Sequence, residues 1–263
     1  MILPGNKKQM LYGAPAASVK EIDDLKAQGF HFAEIAIPNP AARHMWWESG
    51  IKNAPEDEFF LLAHGPLEDS SQDDLRYLRD HYIPSLMATL DTSSRMRISY
   101  LTIHMSVDRK VISGLQLAEK IQALKELVAY AQSNDVVIGL ENVTESASDL
   151  ESVLDAVPEL CLTLDIGHAQ LGSALNKSFQ IVRTLGPAIR HLHVHDNRGG
   201  VGQADDLHLP VGEGTTDFPV ILKALIGIGY NGTMTLEMKP HELLHSRNRI
   251  QLMIDEILMG ESV

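Results

Sequence analysis

The sequence predicts an α/β protein of the (β/α)8 TIM barrel class, folded as a single domain over residues 1–263. Three observations predict this fold. Eight short apolar runs alternate with amphipathic stretches, and this alternation is typical of a parallel sheet covered by helices. A single barrel of this class has about 250 residues, close to the length found here. The turn after the first run, YGAPAAS, lacks the G-x-G-x-x-G pattern typical of an open nucleotide-binding sheet.

The predicted strands and helices alternate along the chain. The strands cover 10–15, 31–37, 59–65, 99–105, 136–142, 160–166, 189–196 and 232–238. The clearest helical patterns cover 18–29, 114–133, 146–157, 217–229 and 246–260. The first of these helices begins at a serine cap, Ser18, with Glu21 three residues later, and it ends in glycine. We interpret the MWW run, 45–47, as packing of the second helix or as an interface, and alternatively as an apolar wall of the pocket that stacks on a sugar.

Composition narrows the class of protein. The net charge of −13 disfavours nonspecific nucleic-acid binding, because that affinity comes mostly from Lys and Arg on phosphates. We expect no membrane span, because no window approaches the roughly 18 to 20 consecutive apolar residues that one needs. Cys161 is the only cysteine and no signal peptide is evident, so we expect a cytoplasmic protein without disulfides. A homodimer is the default oligomer, because dimers are the commonest.

Histidines and carboxylates stand at the C-terminal ends of five predicted strands. These residues are His64, His104, Glu141, Asp165 and Glu237. Side chains in a strand alternate between its two faces, so the aliphatic residues should meet the helices and the polar ones should face the barrel axis. Active sites of this fold lie at the C-terminal end of the barrel.

The stretch HLHVHDN, 191–197, places three histidines on one face of the seventh strand. We expect His193 and His195 to reach the mouth of the barrel, and His191 to be a deeper, hydrogen-bonding histidine. In the following loop, Asp206 and His208 form a D-x-H pair near glycines that permit tight turns. Taken alone, His64 and His104 are also explained as core histidines, and Asp206 with His208 as an ordinary loop pair.

Several buried carboxylates in one small volume predict a divalent metal site. An unpaired buried charge costs several kcal/mol, and a cation removes that cost. Mixed histidine and carboxylate ligands suit zinc, manganese, iron or cobalt better than calcium.

The motifs LTIH, GLEN, LDIGH, HVHD, DLHLPVGEG and TLEM follow one another in this order, spread over successive strand ends. In this pattern the whole chain resembles the xylose isomerase-like TIM-barrel superfamily, which includes endonuclease IV and many sugar isomerases and epimerases. The resemblance to its ketose epimerases implies one metal ion held by Glu141, Asp165, His193 and Glu237. It also implies that Glu141 and Glu237 form the acid/base pair, and that His168 orients the substrate. We add Glu34 and His195 to the expected substrate-binding residues.

The resemblance to endonuclease IV implies instead up to three zinc ions. All nine ligand positions have counterparts here, namely His64, His104, Glu141, Asp165, His168, His193, Asp206, His208 and Glu237. Two motifs depart from that enzyme: HMSVD replaces its proline-glycine-serine turn, and AHGP replaces a longer, tyrosine-containing motif. Basic, aromatic-rich loops for gripping DNA are also absent from the sequence.

We therefore expect an isomerase or epimerase acting on a small polyhydroxylated substrate such as a sugar, sugar phosphate or polyol. It should use one to three ions of zinc, manganese or cobalt. The alternative is a multinuclear zinc phosphodiesterase acting on abasic DNA or another phosphoester. A third hypothesis is a barrel that binds metal or sugar without turnover.

Overall fold

Eight parallel strands close into a barrel in chain order, which confirms the predicted fold class. The computed structural model describes residues 10–54, 58–67, 73–201 and 203–260. The strands are β1 (Leu11–Ala16), β2 (Phe32–Ala36), β3 (Phe60–His64), β4 (Tyr100–His104), β5 (Val137–Glu141), β6 (Cys161–Asp165), β7 (Ile189–Val194) and β8 (Thr233–Leu236). Strand β1 pairs with both β2 and β8, so the described sheet closes on itself.

Helices cover the outside of the barrel between the strands. They are α1 (Val19–Ala27), α2 (Pro40–Ser49), α3 (Leu75–Tyr77), α4 (Ile83–Arg95), α5 (Gly114–Ser133), α6 (Ala147–Ala156), α7 (Ser178–Leu185), α8 (Phe218–Gly227) and α9 (Leu243–Gly260). A π-helical turn, Leu78–Tyr82, joins α3 to α4. Within the described ranges, no helix combines the length and apolar character that crossing a membrane requires.

Serine caps fix where three of the helices begin. The Ser18 side chain accepts the backbone N–H of Glu21, as the sequence predicts for α1. Ser113 and Ser146 form complete capping boxes at α5 and α6. Each such cap satisfies backbone N–H groups that the first helical turn leaves free, and it stabilises the protein by about 1 kcal/mol.

The hydrophobic core lies between the strands and the helices. Alternate strand residues such as Ile35, Leu101 and Leu192 are fully buried in it. Trp46 is buried as well, and its indole N–H donates to the carbonyl of Ala36, which confirms a packing role. Trp47, the next residue, is 52% exposed.

A separate apolar cluster closes the N-terminal end of the barrel interior. Its buried members are Phe32, Leu62 and Tyr100, and partly buried residues including Cys161 pack against them. The Tyr100 hydroxyl lies so near Gly139 that an added Cβ there would sit 2.0 Å from it. The close approach of Tyr100 therefore requires glycine on β5. We call this cluster the barrel floor, and the polar side chains lie above it.

Candidate metal centre

The strand ends and the loops that follow them bring all nine predicted ligands to the C-terminal mouth of the barrel. His104 on β4 pairs in register with Glu141 on β5, and Asp165 on β6 pairs with His193 on β7. Neighbouring strands thus deliver their last inward residues to the same layer. The loop after β7 adds Asp206 and His208 from the side, and Asp206 contacts His168.

Glu141 lies at the centre of the cluster. Its Oε2 is 2.9 Å from His104 Nε2 and 3.2 Å from His64 Nε2. Its Oε1 is 3.1 Å from His193 Nδ1 and 3.2 Å from His168 Nδ1. Burial raises the pKa of Glu141, but His104 and His193 outweigh burial and hold this pKa well below its usual range. Glu141 therefore carries a negative charge that four imidazoles share.

His193 faces three carboxylates with one ring nitrogen. Its Nδ1 lies 3.1 Å from Glu141, 3.3 Å from Glu237 and 3.9 Å from Asp165. This nitrogen is fully buried, yet among the described residues none of its contacts has the geometry of a hydrogen bond. A buried orphan nitrogen surrounded by carboxylate oxygens is the donor set that a divalent transition metal takes. The residues present therefore fit a metal ion held by His193, Glu141, Asp165 and Glu237.

A second group of ligand atoms lies beside the first. His168 Nε2 and His208 Nε2 each lie 3.1 Å from Asp206 Oδ2. His195 stacks on His208 with ring centroids 3.9 Å apart, and one ligand atom from each of these four residues lies within 4.8 Å of the others. Burial lowers the pKa of His208, but the hydrogen bond to Asp206 outweighs it and raises this pKa to about 9. The D-x-H pair thus lies against the rest of the cluster, and its role as a metal ligand stays a prediction.

His208 adopts a backbone conformation that is uncommon for residues other than glycine. Its φ of +46° lies in the left-handed region, where a side chain other than glycine costs about 1 to 3 kcal/mol. Such strain persists only when surrounding contacts over-determine it. Here His208 Nδ1 hydrogen-bonds with the backbone carbonyl of Glu237 at 2.8 Å, which holds the ring towards Asp206.

The three predicted substrate-binding residues occupy different depths. His168 joins the two ligand groups, because its Nδ1 is 3.2 Å from Glu141 and its Nε2 is 3.1 Å from Asp206. Glu34 is 3% exposed and His195 is fully buried. Substrate contact by Glu34 and His195 stays a prediction, but their depth favours a role in positioning the ligands. His195 Nε2, for example, lies 3.2 Å from Asp165 Oδ1.

His191 is fully buried and bonded, as expected for a structural histidine. Its Nδ1 lies 2.6 Å from the Thr233 hydroxyl and its Nε2 lies 3.1 Å from Glu34. Four histidines away from the cluster are exposed, namely His44, His81, His241 and His245. His31 is half-buried, and its Nδ1 accepts the backbone N–H of Tyr12 at 3.1 Å.

Two buried polar residues that support the centre were not singled out from the sequence. Asn142 exchanges two hydrogen bonds of 2.9 Å with the backbone of Asp165, which locks the end of β5 to the end of β6. Asp196 accepts four backbone N–H groups from the loop that carries Asp206 and His208. Their positions in the sequence could have indicated them, because each directly follows a predicted site residue. Asn142 follows Glu141 in the motif GLEN, and Asp196 follows His195 in the motif HVHD.

A sequence model of the xylose isomerase-like TIM barrel family matches residues 22–259. The chain belongs to this family. It is 35% identical over 132 residues to the uncharacterized protein MJ1311 of Methanocaldococcus jannaschii, spanning 47% of this chain and 44% of that protein. It is 24% identical over 223 residues to MJ1188 of the same organism, spanning 78% of each.

Several solved structures share the fold of this chain. A D-tagatose 3-epimerase-like protein superposes with a TM-score of 0.79 at 21% identity, covering 95% of this chain and 99% of that one. An L-ribulose 3-epimerase superposes with a TM-score of 0.72 at 15% identity, covering 97% of both chains. The IolI protein with a bound zinc atom superposes with a TM-score of 0.67 at 16% identity, covering 95% of this chain and 97% of that one. At these identities the likeness concerns the architecture.

Proposed function

We propose that this chain is a divalent-metal-dependent isomerase or epimerase acting on a small polyhydroxylated substrate, such as a sugar, sugar phosphate or polyol. One observation carries the proposal: the carboxylates of Glu141, Asp165 and Glu237 converge on the unpartnered, buried Nδ1 of His193. The similar structures named as sugar 3-epimerases support the same class of substrate. Zinc, manganese and cobalt suit this donor set.

The two glutamates have different freedom to move a proton. A bound divalent ion would supply Lewis-acid chemistry towards adjacent carbonyl and hydroxyl oxygens. Glu237 is the more exposed glutamate, at 15% of its side chain against 1% for Glu141. Its Oε2 has one close histidine, His208, at 3.7 Å. Glu237 is therefore the better placed to remove a proton next to the carbonyl, with Glu141 as its partner for the return.

The test combines metal content with proton exchange. Protein purified without chelator and without a metal-binding tag should hold at least one zinc, manganese or cobalt ion per chain. With a panel of ketopentoses, ketohexoses and their phosphates in deuterated water, it should introduce deuterium at the carbon next to the carbonyl. Glu237→Gln should slow this exchange by about 10² to 10⁴-fold. The exposed Glu159 provides the matched control, and Glu159→Gln should not change it. A chain that takes up no divalent ion, or a fully active Glu237→Gln variant, would contradict the proposal.

A multinuclear phosphoester hydrolase is the second candidate, and the additional ligands favour it. His64 and His104 both contact Glu141 Oε2, while Asp206 binds His168 and His208 on the other side. Two or three ions could use all nine side chains. This candidate predicts two or three zinc ions per chain and chelator-sensitive cleavage of bis(p-nitrophenyl) phosphate or abasic-site DNA. Cleavage of DNA should also weaken steeply with added salt.

A further inference from the structure

Glu34 is a buried carboxylate outside the proposed ligand set. It lies on β2, is 3% exposed, and pairs in register with Leu62, one inward step below His64. A carboxylate at this depth costs several kcal/mol unless it is paired and hydrogen-bonded. The groups around the Glu34 carboxylate therefore have to supply these hydrogen bonds.

Two histidines and a threonine surround the Glu34 carboxylate. His193 Nε2 lies 3.2 Å from Oε1 and 3.1 Å from Oε2, and His191 Nε2 lies 3.1 Å from Oε2. The Thr235 hydroxyl donates to Oε2 at 2.5 Å. His193, His191 and Thr235 can each donate a hydrogen bond to this carboxylate, so it acts as the acceptor in all of these contacts. An ionised carboxylate only accepts hydrogen bonds.

This acceptor fixes which nitrogen of His193 carries a proton. Because Glu34 only accepts, the bond requires a proton on Nε2 of His193. In the neutral imidazole the other nitrogen, Nδ1, then keeps its lone pair. Nδ1 is the nitrogen that faces Glu141, Asp165 and Glu237.

We propose that Glu34 is a positioning residue that holds His193 in the Nε2-protonated tautomer and presents Nδ1 to the metal ion. This inference rests on the metal site of the proposed function and adds the residue that orients one of its ligands. His191 supports the arrangement from below, because its Nδ1 bonds to Thr233 and its Nε2 reaches Glu34. Carboxylate partners of metal-bound histidines of this kind change metal affinity by about 10 to 100-fold when they are removed.

The first arm of the test measures zinc affinity. Glu34→Gln keeps the size of the side chain but removes its negative charge, and it leaves one acceptor oxygen for the three donors His193, His191 and Thr235. Competition against a chromophoric chelator should show zinc binding weakened by about 10 to 100-fold, with the same number of ions at saturation. Asp149→Asn is the matched control, because Asp149 is a buried carboxylate that binds Ser146 and Arg109. Its zinc affinity should stay within about twofold of wild type.

The second arm needs no variant at Glu34 and stands even if Glu34→Gln fails to fold. Nitrogen NMR of zinc-loaded, ¹⁵N-histidine-labelled wild-type protein should show His193 protonated at Nε2 and zinc-bound at Nδ1, with the signal assigned through His193→Gln. Zinc binding through Nε2, unchanged affinity in Glu34→Gln, or the loss of one whole ion in that variant would each overturn the positioning role alone. Failure of wild-type protein to take up zinc would overturn the proposed function as well.

Discussion

Asp196 holds the loop that delivers Asp206 and His208, and its removal gives a sharp prediction. The side chain is fully buried, two residues after the end of the histidine-rich strand β7. Its Oδ1 accepts the N–H groups of Asn197 at 2.8 Å and Thr216 at 3.1 Å. Its Oδ2 accepts those of Gly212 and Gly214, both at 2.8 Å. One carboxylate therefore satisfies four backbone donors of the loop.

The stability lost on replacing Asp196 follows from this geometry. Asp196→Asn keeps one acceptor oxygen and places an NH2 group against two backbone N–H donors, which it cannot bond. A hydrogen bond to a charged group contributes about 1.5 to 3 kcal/mol net. Two lost bonds should therefore lower the free energy of unfolding by about 3 to 6 kcal/mol. The loop packs closely on this carboxylate, because an added Cβ at Gly214 would lie 2.3 Å from Asp196 Oδ1.

Urea unfolding of the two proteins measures the loss, with Asp155→Asn as the control because Asp155 is exposed. Metal content should fall at the same time in any multinuclear form, since Asp206 and His208 depend on the loop. A loss below about 1 kcal/mol in Asp196→Asn would refute the reasoning, because it would mean that the four contacts contribute no more than one ordinary hydrogen bond.

Three further predictions concern pH, packing and metal. Ser146 and Arg109 lower the pKa of Asp149 against the opposing effect of burial, so its bonds stabilise the fold above pH about 4 and are lost as pH falls through the lowered pKa. Asp149→Asn should therefore lower the free energy of unfolding by about 1 kcal/mol at pH 7. The difference between variant and wild type should disappear when unfolding is measured at a pH below the lowered pKa of Asp149. Gly139→Ala should lower the free energy of unfolding, measured by thermal unfolding, by about 1 to 3 kcal/mol, because the new Cβ meets Tyr100. Gly227→Ala is the control and should not lower it, because the space around Gly227 is open. Zinc at about 100 times its Kd should raise the free energy of unfolding by about 2.7 kcal/mol. A thermal unfolding midpoint that does not change when a chelator removes the zinc would contradict a metal site.

The strands were predictable because the pattern that defines them is local. The predicted run 136–142, for example, contains the whole of β5, Val137–Glu141. Helix α4 was harder, because its buried face includes Thr89 and Ser93. Their hydroxyls bond to the carbonyls of Ser85 and Thr89, one turn earlier, so polar residues occupy core positions and the apolar periodicity weakens.

The faces of the strands were also predictable, and so was the order of depth along one strand, but the relative depth of side chains on neighbouring strands was not. Period-two alternation places Glu34 and His64 on the inward face of their strands. Only the register between strands shows that Glu34 pairs with Leu62 and so lies one step below His64. Depth separates a residue that meets substrate from one that orients a ligand. Register between neighbouring strands depends on the whole closed barrel, and a single sequence does not contain it in local form.

The barrel interior is built in layers, and each layer positions the one above it. The apolar floor of Phe32, Leu62 and Tyr100 carries a polar middle layer, in which Phe32 and Tyr100 pack edge-on against His191. In that middle layer, His191 and Glu34 bond to each other, and Glu34 bonds upwards to His193. A buried polar layer of this kind is costly if any member lacks a partner, and rigid if all are bonded. The bonding of Glu34 to both histidines therefore explains why β7 carries a ladder of imidazoles: the lower one holds the carboxylate that orients the ligand above.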